Sequence, residues 1–140
     1  MSVPKDARKE GNLTVNVAAR AICAHVLHIT ANQNRFPPDQ WHFIQIMRNT
    51  AIDIDMKCWK ANNIYVGDSM PLYEKRMALE AEAGDQCTAM LELINIAKPL
   101  FHMSTKRYRH LTTEYVELRK QIRNWYRSDR ERLKPNGDVG

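Results

Sequence analysis

Chain-reversal residues are scarce in this sequence. Five glycines and six prolines among 140 residues leave too few turns for a many-stranded sheet, and the abundant Ala, Leu, Glu, Lys and Arg favour long helices instead. Cysteine is rarer still. Cys23, Cys58 and Cys87 lie roughly 30 residues apart with no Cys-x-x-Cys pair, which argues against a disulfide framework and a thiolate zinc site and leaves them as small buried apolar side chains. No stretch approaches 18 uninterrupted apolar residues, and the opening Met-Ser-Val-Pro-Lys-Asp-Ala-Arg-Lys-Glu lacks an apolar core segment. Neither secretion nor a membrane span is therefore expected, and the expected location is cytoplasmic.

Catalytic signatures are missing as well. There is no glycine-rich phosphate loop, no nucleophile elbow and no Cys/His arrangement. Asp53 and Asp55 flank Ile54 on opposite sides of one predicted helix and cannot converge on one substrate atom. His25 and His28 share a helix face, but no Glu-x-x-His is present to complete a bundle metal site. His42, His102 and His110 fall near predicted turns and read as surface or capping groups. The expectation is a protein without enzymatic activity, metal, cofactor or small-molecule substrate.

What is present is heptad rhythm. The length suits one domain with one core. Val15, Ala19, Ile22, Val26 and Ile29 alternate spacings of three and four, predicting a first helix over about 14–31 begun by Asn12 or Thr14. Pro37 and Pro38 break it, and Asp39 stands where a second helix would be capped. That helix is predicted to run to about Val66 with Ile44, Met47, Ala51, Ile54, Cys58, Ala61 and Tyr65 inward; Asn62 and Asn63 read as its C-terminal turn signal or as amides that hydrogen-bond a neighbouring helix end or a partner. Gly67-Asp68-Ser69 stops it, and Ser69 with Pro71 starts a third, with Leu79, Ala83, Cys87, Met90, Ile94, Ala97 and Phe101 on one face. Pro99 should kink or end this helix near Lys98, making Leu100 to His110 a connector. A fourth helix is predicted from about Thr113 to Lys134 with Tyr115, Leu118, Ile122 and Trp125 inward. The reading is all-α, an antiparallel four-helix bundle over 13–134, with a flexible arm at 1–12 and a flexible tail at 135–140.

Charge is distributed unevenly. Residues 1–103 carry 11 Lys/Arg and 11 Asp/Glu, whereas residues 104–134 carry 10 Lys/Arg against 4 Asp/Glu; Asp138 brings the chain to +5. Arginine outnumbers lysine seven to three in the basic segment, which suits bidentate phosphate contacts and stacking on bases. Arg119, Arg123, Arg127, Arg130 and Lys134 fall within about 80° of one another at 100° per residue. The blander reading is a solvated face, with Asp129 and Glu131 pairing some of the arginines and Asp53, Glu80, Glu82, Asp85 and Glu92 solvated or paired across the bundle. Trp41, Trp59 and Trp125, spread over two helices, fit a core edge or a subunit interface equally well.

A set of short motifs carries a resemblance: Phe36-Pro37, Ala61-Asn62-Asn63-Ile64-Tyr65-Val66, Ile96-Ala97-Lys98, Leu100-Phe101-His102-Met103-Ser104, Lys106-Arg107, Ile122-Arg123-Asn124-Trp125 and Ser128-Asp129-Arg130. In these the chain resembles the accessory variability determinant proteins of diversity-generating retroelements, which are related in fold to the four-helix proteins encoded by ribosomal RNA intervening sequences. The resemblance implies a basic, non-enzymatic homo-oligomer, typically a pentameric ring. It further implies binding to the retroelement's reverse transcriptase and to template RNA or an RNA/DNA hybrid in support of mutagenic cDNA synthesis. By position it makes Lys106, Arg107, Arg119, Arg123, Arg127 and Arg130 the expected nucleic-acid contacts. Pro99 and the modest net charge depart from the family pattern. The rival expectation is a structural oligomeric four-helix interaction module without nucleic-acid binding.

Overall fold

The computed structural model describes residues 3–136, with side chains described from Thr14 onward. Four long helices follow one another, α1 (Val3–Thr30), α2 (Trp41–Asn62), α3 (Met70–Leu100) and α4 (Thr105–Arg132), with a single 3-10 turn at Pro38–Gln40 ahead of α2. Short connections make each helix antiparallel to the one before. α1 packs on α2, α2 on α3, α3 on α4, and α4 back on α1, so α2 and α4 occupy a diagonal. This is the antiparallel four-helix bundle that the periodicity predicts. No strand occurs among the described residues, and none of their helices is long and apolar enough to cross a membrane.

The predicted seams supply the core. Val15, Ala19, Ile22, Val26 and Ile29 of α1, Ile44, Met47, Ala51, Ile54, Cys58 and Ala61 of α2, Ala83, Cys87, Met90, Ile94 and Ala97 of α3, and Leu111, Tyr115, Leu118, Ile122 and Trp125 of α4 are all buried. Cys23 is buried too, and all three cysteines are free. Burial pushes the Cys87 thiol up to about 12 and the Cys58 thiol higher still, so both are inert apolar spacers.

Several boundaries differ from the sequence expectation. α1 begins at Val3 rather than at Asn12 or Thr14, so the backbone of 3–12, expected as an arm, is helical; Lys5, Ala7, Arg8, Lys9 and Glu10 are all good helix formers. Most of the expected tail, 137–140, lies outside the described residues. α2 is capped by Gln40 without a side-chain bond, not by Asp39. It stops at Asn62, where Asn63 Nδ2 donates to Trp59 O at 2.7 Å and competes with continued helix. Tyr65, expected in the seam, therefore sits in the following loop at 88% exposure, and Val66 is buried instead. Gly67 takes the left-handed conformation there at φ 52°.

At the other end of the bundle, α3 passes Pro99 by one residue and stops. Met103 N donates to Lys98 O at 2.9 Å and Lys98 Nζ donates to Met103 O at 3.0 Å, closing a tight turn through His102 at φ 51°. Phe36 from the α1–α2 loop packs on Phe101 with ring centroids 4.8 Å apart, sealing this end of the core.

Candidate nucleic-acid interface

Helix α4 starts earlier than its apolar rhythm announces. Ser104 is its N-cap, with the hydroxyl accepting from Arg107 N at 3.1 Å, which satisfies one of the open amide donors of the first turn. The segment 105–110 is therefore helical rather than a connector. Lys106, Arg107 and Arg109 belong to the same rigid element as the later arginines.

Where the carboxylates of this basic segment go decides how much of its charge faces outward. Asp129 is fully buried. It lies one turn beyond Trp125 on the inward seam, where Arg76 of α3 donates to Asp129 Oδ2 from Nη2 at 2.8 Å and from Nε at 3.0 Å. Arg76 Nε also reaches Glu80 Oε2 at 3.2 Å, its Nη1 donates to Ile64 O at 3.1 Å, and its guanidinium lies 5.5 Å from the Trp125 ring centroid. Arg132 adds a further bond to Asp129. Glu80 is fully buried; burial, followed by a hydrogen bond with Asp129 and the charge of Asp129, pushes its carboxyl up to about 9 against the pull of Arg76. The raised carboxyl of Glu80 favours its protonated form at neutral pH, and Arg76 is the cation that faces both buried carboxylates. Glu80 thus pairs within its own helix and not with helix-four arginines, while Glu82 lies 3.9 Å from Lys57.

Glu114 also turns aside, accepting from His25 Nδ1 of α1 at 3.0 Å. Two of the four carboxylates in 104–134 are thus committed to inward or interhelical partners. Glu117 and Glu131 stay exposed, yet at 100° per residue both fall outside the arc that holds the arginine row.

The six expected contact residues divide into two groups. Arg119, Arg123, Arg127 and Arg130 share one edge of α4 over about 17 Å of its length. Arg119 Nη1 donates to Thr88 Oγ1 of α3 at 3.1 Å, Arg127 bonds Asn124, and Arg130 stacks 5.8 Å from the Tyr126 ring centroid. Arg123 runs past Gly84 of α3, where a Cβ would meet its Cγ at 3.8 Å. Tyr73 donates from its hydroxyl to Arg130 O at 2.9 Å, pinning the end of α4 to α3. Among the described residues no carboxylate lies within 4.0 Å of any of these four guanidinium groups. Lys106 and Arg107 are exposed as well but lie about 100° and 160° around the helix from Arg123. They line an open cavity of about 890 Å³ together with Arg109, His110 and His25.

That cavity holds a juxtaposition invisible in the linear pattern. His25 meets His110 and Glu114 of α4, not His28, because α4 begins at Thr105 and carries His110 and Glu114 one turn apart on one face. The class of molecule defined so far is a four-helix bundle with an unneutralised arginine edge on its last helix. Comparison with protein-family models, curated proteins and solved structures returns no significant match.

Proposed function

We propose that this protein is a non-enzymatic, cytoplasmic, nucleic-acid-binding subunit that works as a homo-oligomer, with the outer edge of α4 as its contact surface. The observation that carries this reading is the row Arg119, Arg123, Arg127 and Arg130, held on a rigid helix and left without carboxylate partners among the described residues. A row of guanidinium groups at successive turns matches the repeating phosphates of an RNA or an RNA/DNA hybrid, and Tyr126 beneath Arg130 adds a surface on which a base could stack. Lys106 and Arg107 extend the cationic surface around the start of α4.

The sequence resemblance makes the protein partner a reverse transcriptase of a diversity-generating retroelement and makes template RNA the nucleic acid. The oligomer in this proposal is a pentameric ring. Trp41, Ile52, Met56 and Trp59 support self-association: each is 39–52% exposed, and they fall within about 60° of one another on α2, diagonally across the bundle from α4. An apolar stripe of this kind marks a protein-contacting surface. It also favours the rival reading, an interaction module without nucleic acid.

Co-purification from cells expressing the neighbouring genes, with R119E/R123E/R127E beside the wild type, separates the two. The proposal expects the wild type to retain RNA and a reverse transcriptase and the triple variant to lose the RNA while still oligomerising. A wild type that assembles without RNA establishes the interaction module instead, and a triple variant that keeps its RNA overturns the α4 edge as the contact surface.

A further inference from the structure

We infer that His25, His110 and Glu114 form a site for a divalent transition-metal ion of the zinc type, bridging α1 and α4. His25 Nδ1 lies 3.0 Å from Glu114 Oε1, His110 Nε2 lies 3.7 Å from Glu114 Oε2, and the three ligand atoms fall within 4.8 Å of one another. A tetrahedral ion with bonds of about 2.0–2.1 Å holds its ligands about 3.3 Å apart, so closing the triangle takes up to about 1.5 Å, shared between the side chains.

Hydrogen bonding accounts for only part of this arrangement. The His25–Glu114 contact is an ordinary hydrogen bond, but His110 approaches the other oxygen of the same carboxylate at a distance too long for one. The two imidazoles meet edge to face with centroids 5.2 Å apart and planes at 80°, which brings two nitrogens to a single carboxylate. Two imidazoles and a carboxylate suit zinc, cobalt or nickel; magnesium and calcium prefer all-oxygen shells.

The surroundings sharpen the choice of ion. Lys106, Arg107 and Arg109 line the same cavity and oppose any dication held by charge alone, so the ion must be one that bonds strongly to imidazole nitrogen. Three protein ligands leave a fourth position open to the cavity, where water or an anion completes the shell.

The site is independent of the α4 arginine edge, and its test does not involve nucleic acid. The full chain, stripped with a chelator, is titrated with Co²⁺ by visible absorption and with Zn²⁺ by calorimetry. The expected result is one ion per chain, with the intense visible bands of four-coordinate Co²⁺. H110A should weaken binding at least about tenfold, E114Q should do the same, and H28A should leave it unchanged. His110 is largely exposed, with a side-chain exposure of 63%, so its truncation should preserve the fold, checked by an unchanged helical circular dichroism spectrum. The absence of saturable one-to-one binding, or equal affinity in H110A and wild type, would overturn the site.

Discussion

Arg76, Glu80 and Asp129 show how three charged residues can occupy core positions of a bundle. Each stands on the inward rhythm of its helix, Glu80 three residues before Ala83 and Asp129 four after Trp125, and the heptad register was the signal that marked them. Residue type alone reads Glu80 as solvated or paired across the bundle and Asp129 as an arginine partner on a solvated face, and neither reading places the pair in the core. Breaking such a cluster leaves a buried charge without its partner. R76A is therefore expected to destabilise the fold by about 3–5 kcal/mol in urea unfolding, far more than an exposed Arg-to-Ala change on the α4 edge. The proton on Glu80 gives a second prediction. Its folded-state value near 9 lies above that of the unfolded chain, so the folded state binds the extra proton between the two. Stability from this group is complete in mild acid and is lost as pH rises toward 9, at up to about 1.4 kcal/mol per pH unit. Thermal melts from pH 5 to pH 9 should show a decline in the wild type that E80Q flattens; parallel curves would mean that Glu80 is ionised in the fold.

At the scale of elements, periodic aliphatic spacing made four helices and their inward faces legible, because burial repeats every three or four residues whatever the partner. Boundaries were less legible. The start of α4 was masked by a charged first turn: Lys106, Arg107, Arg109 and His110 offer no apolar rhythm before Leu111, and the remaining signal was the capping serine. S104A should cost about 1 kcal/mol, read from the denaturation midpoint, with little change in an Asn or Asp replacement that caps equally well. That boundary also governs the site. With the helix starting at Thr105, His110 and Glu114 fall on one face against His25, a tertiary coincidence between residues 85 and more positions apart that no local pattern encodes. The arginine edge, by contrast, was fully readable from spacing; what spacing could not show is that Asp129 and Glu114 are drawn away from it.

On the scale of the whole molecule, the bundle presents different surfaces at the two ends of a diagonal. Cations run along α4, and Trp41, Ile52, Met56 and Trp59 remain partly uncovered on α2. If copies of the chain cover that stripe, light scattering should give a particle of several times 16.3 kDa, five times for a ring of five, and W41E/W59E should reduce it toward one chain. A wild-type mass of one chain would remove the oligomer from the account. The charge placement leads to the most direct measurement of all, the salt dependence of RNA binding by fluorescence anisotropy. Between four and six phosphate contacts on single-stranded RNA correspond to a slope of log affinity against log salt of about −2.8 to −4.2. The wild type should fall in that window and R119E/R123E/R127E should lose the slope together with the binding. A flat response in the wild type, or a triple variant that binds RNA with the same slope, would contradict the assignment of α4 as a nucleic-acid surface.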